Sequence, residues 1–223
     1  MATMPTHESN YVRNIGVPQF GTEMKLVPFG DKYEVRLKGP HITPGYWKDK
    51  VNTKKSFDNE GYFKIGDALK FKDKLNPEKG FYFDGRIAEN FKLNTGTWVS
   101  VGNVRSKLLD ALGGIVIDAI IVGEDQEYLS AFLIPDILFC SSLLNLNIQD
   151  SEEKILSHQI LKNKILEILT SYKNNNHSKS QYIKKVVFFR DVLSKAKGEI
   201  TDKGSINQIK FILNRDQLVK KLF

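Results

Sequence analysis

The chain has 223 residues, of which 41% are hydrophobic and 26% charged, and its net charge is +7. That balance excludes wholesale disorder, and the length is enough to bury a substantial core. No apolar run approaches the roughly 20 residues that cross a bilayer as a helix. The opening MATMPTHESN lacks the basic flank and apolar stretch of a secretory signal, and a lone Cys140 cannot form an internal disulfide.

In chain order, residues 24–38 alternate apolar and polar about Gly30-Asp31, which predicts a β-hairpin. Pro40, Pro44 and Gly45 then mark tight turns. FDNEGYFKIGD and KGFYFDGR predict two more short aromatic-rich strands, closed by turns at Gly66-Asp67 and Asp84-Gly85-Arg86. Residues 1–87 therefore read as a small β-barrel-like or sandwich unit.

Beyond residue 88 the periodicity becomes mixed, predicting an α+β unit over 88–223. Val104, Leu108 and Leu112 fall at helical spacing, and Gly113-Gly114 ends that helix. IVIDAIIVG and YLSAFLIP are too continuously apolar for one-sided burial and predict buried strands. Asp150, with Glu153 at the capping-box position, is expected to open one long helix with Leu161, Ile165, Ile168, Leu169 and Tyr172 on one face. KNNNHSKSQ reads as a polar loop, KKVVFFR as a strand, and FILNRDQLVKKLF as a closing helix. No Cys/His cluster has zinc spacing. The lysines are scattered among acids with no basic block interleaved with aromatics, so the charge suits small polyanionic ligands better than a polynucleotide. A reducing cytoplasm is the expected location.

Residues 60–102 carry the most chemistry. Asp67 offers two carboxylate oxygens and Arg86 a rigid donor fork, a pair suited to gripping the cis-diol of a ribose. Each also has an ordinary reading, as turn chemistry for Asp67 and a surface ion pair for Arg86. Lys92, Gly96, Thr97 and Trp98 follow in a segment able to swing relative to what precedes it. Trp98 is equally readable as a core aromatic.

These motifs resemble the adenylate-forming acyl-CoA synthetases. The run Tyr62 to Asp67 matches the family's aromatic element ending in Gly-Asp, and DGRIAENFKLNTGTWVSVG is most similar to the feruloyl-CoA synthase branch. The resemblance implies that Asp67 and Arg86 hold the ribose of ATP, and that Ala88 and Glu89 form a hinge. It further implies that Lys92 serves thioester formation and that Gly96, Thr97 and Trp98 line the pantetheine channel. Tyr128 stands where some relatives stack an aromatic on the CoA adenine, although a surface or core tyrosine is the plainer reading.

Near the C-terminus, GEITDKGSINQ resembles the loop that delivers a lysine to the α-phosphate. Lys203 is the candidate, with Lys197 as the alternative, because Ser205 occupies the place where the common pattern has its lysine. By the same resemblance, Ala88 departs from the usual charged hinge residue, and Arg105 from a usual acid.

The implied reaction joins a carboxylic acid to coenzyme A with ATP and Mg2+. The resemblance also implies that residues 1–87 end a truncated AMP-binding domain and that residues 88–223 form a mobile lid. No Gly-rich phosphate loop occurs in the sequence. The chain alone is therefore expected to be inactive, with the N-terminal region of the synthetase as its partner and as the source of most magnesium ligands. Two other classes stay open: a non-catalytic interaction module derived from such an enzyme, and a basic nucleic-acid-binding protein.

Overall fold

A computed structural model describes residues 2–30, 32–147, 149–175, 178 and 180–223. The chain divides into two compact units, Met1–Ala88 and Glu89–Phe223.

The first unit is built on strands β1 (Thr3–Met4), β2 (Val17–Pro18), β3 (Glu23–Phe29) and β4 (Lys32–Lys38), helix α1 (Lys50–Ser56), and strands β5 (Phe63–Phe71) and β6 (Phe81–Arg86). β1 pairs with β2, and β3-β4-β5-β6 form an antiparallel meander. β3 and β4 fall where alternation places a hairpin, although Asp31 of the expected turn lies outside the described residues. One face of the meander packs Val35, Leu37, Leu69 and Phe81 into a small core. The expected barrel is corrected to an open sheet: among the described residues β3 does not pair with β6. The all-β expectation also missed α1, whose cap is Asp49, its side chain accepting from the amide of Asn52 at 2.9 Å.

The second unit contains β7 (Phe91–Lys92), β8 (Trp98–Val99), α2 (Val101–Leu112), β9 (Val116–Val122), β10 (Leu129–Pro135), α3 (Ile137–Leu143), α4 (Glu152–Ser157), α5 (Gln159–Asn175), β11 (Ile183–Phe188), α6 (Gln208–Asn214) and α7 (Asp216–Lys220). β10 is the centre of a three-stranded sheet, antiparallel to β9 and parallel to β11. The continuous apolar character of β9 and β10 has a direct cause. Ala119, Ile121, Ala131 and Leu133 face a core shared with α2 and α5. Ile120, Val122 and Phe132 face a second core with Phe189, Phe211 and Leu222. Cys140 is fully buried in the first core, where burial pushes its thiol up to about 11.

Two helical expectations change. The helix opened near Asp150 is two helices, separated by His158 in extended conformation (φ −62°, ψ 132°). Its cap is Ser151, while Asp150 pairs with Lys154 at 2.7 Å. The closing helix is likewise broken, at Arg215. Helix α3, capped by Asp136, was not foreseen. In the loop before β11, Asn176, His177 and Lys179 lie outside the described residues.

The first unit also buries an ion pair. Lys32 and Asp84 are 4% and 5% exposed at the side chain and 3.3 Å apart, with Lys70 3.5 Å from the same carboxylate oxygen. Lys32 also donates to the Asp84 carbonyl at 3.1 Å. Removing one member of such a pair leaves a desolvated charge. Lys32→Met should therefore destabilise the first unit by about 3 kcal/mol in urea denaturation, whereas Lys38→Met, at the exposed end of the same strand, should change little.

Candidate functional site

Asp67 and Arg86 face each other across β5 and β6. The pairing slips on both sides of Asp67, between Glu34 and Arg36 against β4 and between Asp67 and Leu69 against β6. Gly66 and Gly85 sit in these irregularities with φ of 78° and 82°, a conformation open to glycine without steric cost. The expected turns at these two glycines are thus bulges inside strands. A bulge bends its strand and re-aims the neighbouring side chain, so both functional candidates follow a glycine.

Arg86 Nε lies 3.8 Å from Asp67 Oδ1, with side-chain exposures of 67% and 32%. A pair so loose and exposed contributes little to stability. Burial pushes the Asp67 carboxyl above its ordinary range, and the Arg86 charge offsets this only in part. Among the described residues no hydrogen bond is donated to the Asp67 carboxylate. Its lone pairs are open to donors such as vicinal hydroxyls, with the guanidinium alongside. The Asp of Asp-Gly-Arg, which the sequence reading passed over, instead turns inward to Lys32.

The second unit presents two separate hairpins. In the first, β7 and β8 pair Phe91 with Val99 and Lys92 with Trp98. Phe91 and Val99 are buried, so the other two side chains take the outer face, where Lys92 Nζ lies 4.9 Å from the Trp98 ring centre. Trp98 is 43% exposed, which sets aside the core reading. The connecting turn is closed by the Gly96 amide donating to the Leu93 carbonyl at 2.8 Å, with the Thr95 and Thr97 hydroxyls 3.0 Å apart. Gly96 is required by its φ of 78°, not by crowding, since a Cβ there would meet nothing within 4 Å. Amides of Asp125 and Asn94 tie this hairpin to the β9–β10 turn, through the carbonyls of Lys92 (2.9 Å) and Gln126 (3.0 Å).

Tyr128 follows that turn and lines a groove of about 490 Å³ with Leu169, Lys173, Tyr182 and Lys184. Lys184 Nζ lies 4.2 Å from the Tyr128 ring centre, and Phe223 packs at 5.4 Å. A base stacking on the lysine-covered face would displace Lys184. Ala88 and Glu89 lie in a short 3-10 turn, Ile87–Glu89. Arg105 pairs with Asp118 at 2.5 Å, tying α2 to β9.

The other hairpin carries Lys203 at its tip. Ile200 and Ile206 form a β-bridge, and the Gly204 amide donates to the Thr201 carbonyl at 2.9 Å. Gly204 has φ of 80°, the left-handed position of a three-residue hairpin loop. Lys203 is exposed, while the Ser205 hydroxyl is engaged with that of Thr201 at 2.7 Å. Lys197 is also exposed, one loop upstream, and its carbonyl accepts from Asn214 at 3.2 Å.

This loop is pinned by a side chain that sequence reasoning missed. Glu199, fully buried, accepts from Arg215 Nε at 3.1 Å and from the Ser194 amide at 2.8 Å. Arg215 further binds Asp191 and the Val192 carbonyl, and lies over the rings of Phe189 and Phe211. Arg215 foremost, with the Ser194 amide, holds the Glu199 carboxyl below its ordinary range. The described residues hold no cluster of three His, Cys, Asp or Glu side chains able to bind a metal.

No family model matches the sequence. It is 25% identical over 179 residues to the probable acyl-activating enzyme 16 of Arabidopsis thaliana, covering 73% of this chain and 24% of that protein. It is 26% identical to human long-chain-fatty-acid–CoA ligase 1, covering 65% of this chain and 20% of the ligase. Among solved structures, the adenylation domain of a carboxylate reductase from Mycobacterium chelonae superposes with a TM-score of 0.72 at 19% identity, covering 93% of this chain and 32% of that one. The chain thus spans about a quarter or less of the curated relatives named here. It is similar in sequence to acyl-activating and acyl–CoA ligase enzymes, and it shares the fold of part of an adenylation domain.

Two outcomes follow from the geometry. Because Asp67 holds its proton to higher pH in the folded state than in the unfolded chain, its ionisation takes stability away as pH rises through and just above the usual carboxylate range. Asp67→Asn should remove that loss, so denaturant titrations above this range should find the variant at least as stable as the parent. Glu199 acts in the opposite sense: its contribution is complete above the ordinary carboxylate range and is lost as pH falls through its depressed folded value. Glu199→Gln should cost about 3 kcal/mol at neutral pH and speed amide exchange at Gly204 and Asn207.

Proposed function

We propose that this chain is the C-terminal part of an AMP-forming acid–CoA ligase. In this reading residues 1–87 close an AMP-binding domain and residues 88–223 form the lid that turns about Ala88 and Glu89. The observation that carries the reading is the pairing of Asp67 with Arg86 across two bulged strands, with two exposed lysines on separate hairpins of the following unit. An upstream region of the same enzyme supplies the phosphate loop, the acyl pocket and the magnesium ligands.

In the first step the acid's carboxylate oxygen attacks the α-phosphorus of ATP and pyrophosphate leaves, giving the acyl-adenylate. Lys203 supplies a compact mobile cation to the phosphoryl oxygens, where negative charge accumulates. Asp67 accepts from the ribose hydroxyls, and Arg86 donates to the same sugar. In the second step the CoA thiolate attacks the acyl carbon and AMP departs as the leaving group. Lys92 and the Gly96–Trp98 turn face the nucleotide for this step, and Tyr128 meets the adenine of CoA. A lid motion that exchanges the two hairpins separates the steps.

The acid itself is set upstream. The similarity of residues 84–102 to the feruloyl-CoA synthase branch supports a hydroxycinnamate, and the fatty-acid ligases among the relatives support a fatty acid. Assays should carry both.

In the complete enzyme, Lys203→Ala should slow acid-dependent ATP–pyrophosphate exchange about 100-fold or more, with near-normal thioester formation from supplied acyl-adenylate. Lys92→Ala should do the reverse, and Asp67→Ala should weaken both steps. Single-turnover measurements of each step decide the matter. Equal impairment of one step by both lysine variants would sink the two-hairpin mechanism, and an effect of Lys197→Ala in place of Lys203→Ala would move the adenylation role to Lys197.

A further inference from the structure

The segment Pro44–Ser56 presents apolar side chains to solvent on a hydrogen-bonded support. Trp47 is 88% exposed, Val51 65% and Tyr46 51%. A tryptophan held in water has an apolar surface that the fold leaves uncovered. Here the support is tightly built. The Tyr46 amide donates to the Thr53 hydroxyl at 2.9 Å, and that hydroxyl donates to the Asp49 carbonyl at 2.7 Å. The Thr53 side chain fills the space where a Cβ on Gly45 would fall, 2.5 Å from its methyl carbon, so only glycine fits there. The Thr43 hydroxyl donates to the Gly45 carbonyl at 2.9 Å. The loop is fixed so that Trp47 projects.

The charge around this tip is predominantly positive. Lys48, Lys50, Lys54 and Lys55 flank it, and among the described residues none of them forms an ion pair. Asp49 is the one acid within the segment, and both of its oxygens are engaged with Asn52, at 2.9 and 2.6 Å. Lys48 lies 5.7 Å from the Trp47 ring centre, so cation and indole share one surface. Amphipathic aromatic rings favour the headgroup level of a bilayer, and neighbouring lysines add attraction to anionic lipids.

We propose that Tyr46, Trp47 and Val51, with the four flanking lysines, form a docking surface for an anionic lipid bilayer. The aromatic tip enters the headgroup region while the lysine ammonium groups meet lipid phosphates and carboxylates. This places the first unit on a membrane surface through residues that none of the proposed catalytic steps uses.

The test uses the whole chain and vesicles of phosphatidylcholine, alone or mixed with phosphatidylserine. The chain should sediment with the mixed vesicles and not with phosphatidylcholine alone, and added salt should release it. Trp47→Ala, and separately the joint replacement of Lys48, Lys50, Lys54 and Lys55 by Gln, should each weaken binding about tenfold or more. Joint replacement of Lys162, Lys164, Lys210 and Lys221 by Gln controls for net charge and should weaken it far less. In a Trp98→Phe background, the fluorescence of Trp47 should shift to the blue on adding mixed vesicles, a readout that needs no further variant to fold. Binding that ignores lipid charge, equal loss from both lysine sets, or an unshifted Trp47 would overturn the proposal. So would Trp47-dependent self-association without lipid, which would assign the surface to a second copy of the chain.

Discussion

The contact between Arg215 and Glu199 organises the part of the second unit where regular structure runs out. Between β11 and α6 the only regular pairing among the described residues is the Ile200–Ile206 bridge, so what the side chains reach matters greatly to how the loop is held. Glu199 points inward with no exposure, and Arg215 meets it from the break between α6 and α7 while also gripping Asp191 and the Val192 carbonyl. The guanidinium rests on Phe189 and Phe211, which belong to the core beneath the sheet. One side chain thus joins the core, the end of the sheet and the loop that carries Lys203. An isolated buried carboxylate would be costly, and this one is tolerable because its lone pairs are filled by charged and backbone donors.

The two sets of candidate residues are positioned by different physics. In the first unit, Asp67 and Arg86 are placed by defects in a sheet, and the glycines that permit those defects set where the carboxylate and guanidinium point. In the second unit, both lysines ride on short hairpins whose turns are closed by backbone hydrogen bonds and whose tips are open to solvent. In the proposed mechanism, rigid strands are what a group that grips one ligand throughout would use. In the same mechanism, a small tip on a firm base is what a group that arrives and leaves with its whole unit would use.

Much of this was legible in the sequence, for reasons that differ by element. The continuous apolar runs of β9 and β10 announced burial on both faces, and the structure divides their residues between two cores accordingly. Helix α2 was readable from its spacing and from Gly113. The bulges were harder, because a glycine inside a strand and a glycine in a turn carry the same letter; the pairing of neighbouring strands decides between them. The open sheet was unreadable for a related reason, since barrel closure depends on which edges meet. The ion pairs Lys32–Asp84 and Glu199–Arg215 join residues far apart in sequence, and local pattern is silent on those. Asp49, Asp136 and Ser151, by contrast, were visible capping residues that a closer reading of local chemistry would have used.

The seclusion of Cys140 has a practical consequence. As the one thiol in the chain, fully buried and with its ionisation pushed up to about 11, it presents almost no thiolate to a reagent while the second unit stays folded. This chain is therefore already a background for site-directed labelling. Cysteines introduced at exposed positions on either side of Ala88 could carry a pair of spectroscopic probes without first removing a native thiol. The same seclusion makes Cys140 a clock for the opposite event: a maleimide captures it only when the core between α2, α3 and the sheet comes open.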